Sequence, residues 1–329
     1  VDLVTGATGF VGPHLVDALS SGGRRVRCLV RDAGRGAALA RAGIEVVACE
    51  LVDGDALTRA MQGVERVYHL AGGGKVSTSS DEGLEGLRAA NVAPLEAVLR
   101  AAKAAGVRRV VHFSSISAMG VQLGRRLDED SPCAPTTPHE IAKYESEQAA
   151  LRAFHDGLPV VILRPSQIYG PGDERSEIVK LVRLARYGAV PLFGGGEGLV
   201  PWVFISDVVD AALAAGEREQ AVGRTYIVSD DDSYRFADVV ASIGRSLGRG
   251  RAGVVVPSGL AWPAIAATEA LAKSLGREPP FTRHRLASMT GRRMVSIERA
   301  RHELGFEPKV GLEEGMERTV RWYVGRGLA

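Results

Sequence analysis

Apolar and polar positions along this chain alternate between two periods. Short runs rich in Val, Leu and Ile fall at 2–5, 26–30, 45–49, 66–70, 109–114 and 159–163. Between them lie Ala/Leu/Arg-rich stretches with helical spacing, notably 11–20 and 87–105. Continuous apolar runs predict strands buried on both faces, and intervening helices predict parallel strands joined by crossovers. The expected fold is therefore α/β, a doubly wound parallel sheet, over about residues 1–164.

Past Arg164 the alternation breaks down. Gly- and Pro-rich loops appear at 169–173 and 194–198, followed by a strand near 225–228 and helices near 236–247 and 259–275. This half, 165–329, reads as a smaller substrate-binding region, with the pieces around 203–213 rejoining the main sheet. The Ala-rich stretch 259–275 is interrupted by Pro263, Glu269 and Lys273, too broken to span a membrane. Membrane association is not expected. No secretory leader is read at the start, where the chain opens directly into a strand.

Composition narrows the functional classes. A net charge of +2 on 329 residues gives no electrostatic reason to expect a nucleic acid partner. The three cysteines, Cys28, Cys49 and Cys133, have neither metal-ligand spacing nor an even count. Cys28 and Cys49 read as core residues and Cys133 as an exposed thiol. A reducing, cytoplasmic setting fits them best, and no metal site is expected.

The chemistry begins at Thr5-Gly6-Ala7-Thr8-Gly9-Phe10-Val11-Gly12, between the first strand and the first helix. Gly6 permits a tight turn, Gly9 a close approach of backbone to a pyrophosphate, and Gly12 close helix–strand contact. The helix N-terminus then offers free N–H groups and positive dipole to phosphate. A Gly-rich triplet placed strand–turn–helix in an alternating chain is strong evidence for a dinucleotide site of the Rossmann type.

The spacing Gly-x-x-Gly-x-x-Gly, with the preceding Thr, resembles the extended short-chain dehydrogenase/reductase family (the NAD-dependent epimerase/dehydratase superfamily). Further segments carry the resemblance. They are His69-Leu70-Ala71-Gly72, Asn91, Phe113-Ser114-Ser115, the run from Arg164 through Pro165, Ser166 and Ile168 to Gly172, and Phe204-Ile205-Ser206-Asp207-Val208. The ending, with Arg277-Glu278-Pro279-Pro280 and residues 300–308, looks most like the 3β-hydroxysteroid dehydrogenase-like branch. The resemblance implies that Leu70, Ala71, Gly72, Ser114, Pro165, Ser166 and Ile168 lie along the cofactor. It also places Glu50 and Leu51 beside the adenine.

The second strand ends Val30-Arg31-Asp32. An acid at this place accepts from a ribose 2′-OH, whereas an Arg pairs with a 2′-phosphate. Arg31 comes first, so NADP(H) is favoured over NAD(H).

The resemblance implies a catalytic Ser, a Tyr, and a Lys one helical turn after the Tyr. Ser115 and Lys143 stand in place, followed by Glu147, but the Tyr position holds His139. Tyr144 points about 100° around the helix from Lys143 and does not substitute. Three readings stay open: His139 is the acid/base, with an ordinary pKa of about 6.5; the reaction proceeds on Ser115, water or a substrate hydroxyl; or the chain binds dinucleotide without turnover. Of the other histidines, His69 and His112 read as strand residues near backbone or cofactor, and His14, His155 and His302 as helix-surface residues.

The expected reaction is hydride transfer between NADP(H) and a small, largely apolar carbonyl or alcohol. The alternatives are a nucleotide-sugar epimerase or dehydratase with bound NAD, using Arg183, Arg186 or Arg235 on the diphosphate, and a non-catalytic dinucleotide-binding regulator. Candidate pocket segments are 73–81 as a flap, 119–126, 166–172, 192–202 and 259–275 with Trp262 as a lid. The helices near 87–105 and 139–154 pair between subunits in relatives, so a homodimer is an expectation of the resemblance.

Overall fold

The computed structural model describes residues 1–72, 81–174, 177–274 and 283–329. The expected flap at 73–80 and the segment 277–280 lie outside the described residues.

Seven strands form one parallel sheet. Its order is Thr225–Val228, Val160–Pro165, Arg109–Phe113, Arg66–His69, Asp2–Thr5, Val26–Val30 and Ile44–Ala48. Every pairing is parallel, so all C-terminal strand ends share one edge. The order reverses beside Asp2–Thr5, the switch point where open α/β sheets leave a crevice for ligands.

Helices Val11–Ser21 and Ile205–Glu217 cover one face with Leu15, Val16, Leu19, Val208 and Ala212. Gly54–Ala60, Asp81–Ala104 and Pro138–His155 cover the other through Leu57, Leu95, Val98 and Ala150. Burial on both faces explains the lack of polar alternation in these strands. Segment 203–213 reaches the sheet as a helix on its face. The strand before it, Trp202–Phe204, pairs instead with Gln167–Tyr169.

The C-terminal region has its own apolar core, built around Tyr169, Ile178, Val182, Trp202, Phe236, Val240, Met316 and Tyr323. Thr225–Val228 joins the main sheet as an edge strand, and its other described strands form two-stranded ladders. Among the described residues, no helix is long and apolar enough to cross a membrane.

Candidate active site

The Gly-rich turn sits on the sheet's C-terminal edge. Gly6 adopts φ +70°, and a Cβ there would stand 2.7 Å from Ala71 N and 2.8 Å from the Leu70 carbonyl carbon. The turn is thus pressed against two residues expected to line the cofactor. A Cβ on Gly12 would meet the carbonyl oxygens of Gly6 and Ala7 at 2.5 Å, so only glycine lets the first helix start this close. Gly9 is exposed at the apex, flanked by half-buried Thr8, Phe10 and Val11. Among the described residues no side chain caps the helix that begins at Val11, so its first N–H groups can face an anion. These features fit a dinucleotide pyrophosphate.

His14 departs from the sequence reading. It is half-buried, and its Nε2 lies 2.9 Å from the carbonyl oxygen of Pro171. With the Phe10 ring edge-on at 6.1 Å, it ties the first helix to the loop after Tyr169. At the next strand end Arg31 and Asp32 are both exposed. The Asp32 carboxylate accepts from Gly34 N at 2.8 Å and serves the following short helix. Glu50 is exposed and Leu51 half-buried past the third strand.

The candidate catalytic residues lie on the opposite side of the switch point. Helix Pro138–His155 starts with a capping box, in which the Thr137 side chain and Glu140 satisfy each other's backbone N–H groups. One and two turns further in, Lys143 and Glu147 follow on the same face. A Cβ on Gly72 would lie 3.4 Å from Lys143 Nζ and 2.9 Å from Asn91 Oδ1, so these three converge. Glu147 is buried and accepts from Ser114 Oγ at 2.5 Å and from Arg164 Nε and Nη2 at 2.9 and 2.7 Å. It clamps the helix to the ends of two strands. Each such bond to a charged group contributes roughly 1.5–3 kcal/mol. Cys133, expected to be exposed, is half-buried with Sγ 3.5 Å from Arg164.

Ser115 opens the next turn, its Oγ accepting from Ser117 N at 3.1 Å and donating to Ser117 Oγ at 3.2 Å. Burial holds the Lys143 ammonium below the usual lysine range, partly opposed by Glu147. Burial and then the Lys143 charge lower the His139 imidazole, while Glu140 raises it. His139 therefore stands neutral at pH 7. Beneath them His69 and His112 face each other at 5.7 Å, both buried and neutral, with burial pushing His69 down to about 3. His69 bonds Thr5 Oγ1, which also accepts from Ala71 N, and His112 bonds Ser146 Oγ.

A cavity of about 510 Å³ opens beside Ser115 and Ser166. Ser166 is buried there with its Oγ unpartnered among the described residues. Of the expected segments, 166–172 contributes Ser166 and Gln167, and 192–202 contributes Val200, Pro201 and Trp202. Segment 119–126 does not line it, and none of the described side chains of 259–274 does either. Trp262 is exposed, and the apolar partners of its helix are Leu286, Phe193 and Val256. The missing wall is helix Glu177–Ala185, through Ile178, Leu181 and Leu184, and Phe236 and Met289 also line the cavity. Its apolar spacing was visible in the sequence, but the direction it faces was not. Pro165 is buried at its strand end and half-buried Ile168 pairs with Val203.

The arginines proposed for a diphosphate lie elsewhere. Arg183 donates to Leu328 O, Arg235 pairs with Asp238 and Glu197, and Arg186 is exposed. Among the described residues, the cations lining the cavity are Lys180 and Arg293. No group of three or more His, Cys, Asp or Glu side chains is placed to hold a metal among them.

The model of the NAD dependent epimerase/dehydratase family matches residues 3–229, and the chain belongs to that family. It is an NAD(P)-dependent oxidoreductase of the extended short-chain dehydrogenase/reductase type. It is 30% identical over 332 residues to sterol demethylase protein B of Methylococcus capsulatus, covering 99% of both chains. It is 28% identical to 3beta-hydroxysteroid-dehydrogenase/decarboxylase isoform 1 of Arabidopsis thaliana, covering 97% of this chain and 78% of that one. Among solved structures, the dTDP-glucose 4,6-dehydratase DesIV of Streptomyces venezuelae with NAD bound superposes with a TM-score of 0.79. It is 25% identical and covers 99% of this chain and 98% of that one.

Proposed function

We propose that this protein transfers hydride between NADP(H) and a small, largely apolar carbonyl/alcohol pair of the steroid, polyketide or acyl type. The observation that carries this reading is the cavity beside Ser115, whose walls are mostly aliphatic and aromatic side chains. Two relatives named for sterol chemistry support it.

A bound nicotinamide dinucleotide supplies or accepts the hydride. Gly6, Gly9 and the open helix start at Val11 would hold its pyrophosphate, and Lys143, converging with Gly72 and Asn91, its nicotinamide ribose. Ser115 Oγ turns from Ser117 to donate to the substrate oxygen and polarises it. His139, neutral at pH 7, accepts the proton of an alcohol more readily than it donates one, so alcohol oxidation is the easier direction. In the reductive direction protonated His139 returns that proton, and water recharges the imidazole.

Arg31 supports NADP(H), because Asp32 is engaged in capping and leaves the guanidinium as the exposed group at the strand end. NAD in the solved dehydratase favours the other cofactor, and with it the nucleotide-sugar reading. Titration of cofactor-free protein with NADPH and NADH, read by nicotinamide fluorescence, separates them. The expected result is tighter NADPH binding, and about a tenfold loss of NADPH affinity in Arg31→Ser with NADH unchanged. Reduction of 2-decanone or 3-oxodecanoate by the bound cofactor then tests the activity. Dinucleotide binding with no turnover on either leaves the non-catalytic binder as the better reading.

A further inference from the structure

One row of side chains beneath the dinucleotide edge is polar where the row before it is apolar. Thr5, His69 and His112 are register partners across three adjacent parallel strands, Asp2–Thr5, Arg66–His69 and Arg109–Phe113. Two residues back, the same face carries Leu3, Val67 and Val110. Ser146, on helix Pro138–His155, meets His112 from above, and all four polar residues are buried. The row lies directly under the site. Thr5 precedes Gly6, His69 precedes Leu70 and Ala71, and His112 comes two residues before Ser114.

The partners of these side chains assign their hydrogens. Ser146 Oγ donates to Lys143 O at 2.7 Å, so toward His112 Nε2, 3.3 Å away, it accepts. Burial keeps the His112 imidazole neutral, so its hydrogen sits on Nε2 and Nδ1 is a bare acceptor. Thr5 Oγ1 accepts from Ala71 N at 3.3 Å, and among the described residues its own hydrogen meets His69 Nδ1 at 3.0 Å. His69, also kept neutral by burial, therefore carries its hydrogen on Nε2. Among the described residues neither His69 Nε2 nor His112 Nδ1 has a partner. One is a donor and the other an acceptor, on rings whose centroids stand 5.7 Å apart. Each atom left alone carries the penalty of a buried unsatisfied group, which a bond between them, direct or through one water, removes.

We infer that these groups form one directional hydrogen-bonded chain, from Ala71 N through Thr5, His69, His112 and Ser146 to Lys143 O, and that the histidine pair thereby positions Lys143 against the cofactor wall at Ala71 and Gly72. His69 and His112 are positioning residues, acting through Thr5 at one end and Ser146 at the other. This rests on the reading of Lys143 as the ligand of the nicotinamide ribose. Glu147 fixes the same helix to Ser114 and Arg164 one turn further on, so the turn bearing Lys143 is tied to the sheet by two separate sets of bonds. Apolar side chains could fill this row as they fill the one before it, but they would fix neither end.

The test joins a spectroscopic and a binding measurement. In cofactor-free protein carrying nitrogen-15-labelled histidine, NMR of the imidazole nitrogens of His69 and His112 should show the hydrogen on Nε2 of both rings at pH 7. NADPH affinity, read by nicotinamide fluorescence, should fall about tenfold in Ser146→Ala and in His112→Phe, the loss expected when one bond of a buried chain is removed. Ser146→Ala removes a single buried oxygen and serves as the variant least disturbing to the fold. His112→Gln, which keeps a donor for Ser146, should recover most of the affinity. The double variant Ser146→Ala with His112→Phe should lose little more than either single one, because both break one chain. A hydrogen on Nδ1 of either ring, wild-type affinity in Ser146→Ala, or losses that add in the double variant would overturn the inference. Dinucleotide binding with these tautomers and these losses but no turnover removes the hydride-transfer reading and leaves the inference standing. Turnover with affinity unchanged in both single variants removes the inference alone.

Discussion

The two halves of the molecule are built by different means. The dinucleotide half is one parallel sheet whose strands bury both faces, and its chemistry sits where those strands end. Among the described residues, the substrate half sends Thr225–Val228 into that sheet, and its other strands form two-stranded ladders, one of them with Arg126–Leu127, around a core of its own. A rigid sheet suits a ligand common to many enzymes, whereas loops and short ladders can be rebuilt around a particular substrate. The contrast runs through the candidate catalytic set as well. Ser115 and Lys143 are anchored to strand ends through Ser114, Glu147 and Arg164. His139, the residue that departs from the family pattern, sits in the first turn of its helix, among the capping interactions of Thr137 and Glu140.

The sharpest way to break this comparison is to alter the sheet-anchored residues. Ser115→Ala should lower kcat about 10²–10³-fold, the cost of removing one preorganised donor at a developing charge, with dinucleotide affinity unchanged. Steady-state kinetics with a parallel cofactor titration checks both parts. A loss confined to KM would move Ser115 from chemistry to ground-state binding.

Gly12→Ala tests the rigidity of the dinucleotide half. The new methyl group would meet two backbone carbonyl oxygens at 2.5 Å, and backbone cannot swing aside as a side chain can. Overpacking of this kind costs roughly 1–3 kcal/mol, which corresponds to a fall in Tm of several degrees. Dinucleotide affinity should fall with it, because the first helix must move off the turn. Thermal unfolding with and without dinucleotide reads both effects.

A smaller, pH-dependent effect belongs to the substrate half. Asp230 is buried, its carboxyl raised to about 7 mainly by desolvation and also by Asp207, while Tyr234 donates to it at 2.6 Å. Its folded pKa lies above the unfolded value of about 3.9. The folded state therefore holds the extra proton between these values, and the associated stability is lost as pH rises toward 7. Asp230→Asn keeps an acceptor for Tyr234 and removes the charge. It should raise Tm by a few degrees at pH 8 and change it little at pH 5. An equal shift at both values would mean that the carboxyl is not protonated in the fold.

Much of the dinucleotide half was legible because its signals are local. The strands Asp2–Thr5 and Val26–Val30 have the bounds their apolar runs predicted, since strands buried on both faces stay mostly apolar and polar Thr5 and Arg27 do not impose an alternation. The Gly6 turn was readable from spacing, because backbone geometry there admits no side chain. The cavity was less legible. Its main wall, helix Glu177–Ala185, was not among the elements read from the sequence, and what its apolar face meets is set by residues 50 to 110 positions away, such as Phe236 and Met289. The same limit hid Arg293, whose inward direction comes from pairing with Leu199 and beside Leu127 rather than from its neighbours in sequence. His14 was misjudged for a similar reason, since the carbonyl it meets belongs to Pro171. His139 was found by its position before Lys143, although its burial depends on tertiary packing.

The central claim is that this site carries out hydride transfer with neutral His139 taking the proton. The most direct test is the pH profile of NADP⁺-dependent oxidation of 2-decanol or 3-hydroxydecanoate, comparing the wild type with His139→Gln. The account predicts a wild-type rate that is level at neutral pH and falls only below about pH 6.5, because the imidazole is held under its ordinary value. It predicts that His139→Gln loses about 10²-fold in rate and loses that acid limb with it. A wild-type profile identical to that of His139→Gln would contradict the claim and leave His139 as a bystander at the start of the helix.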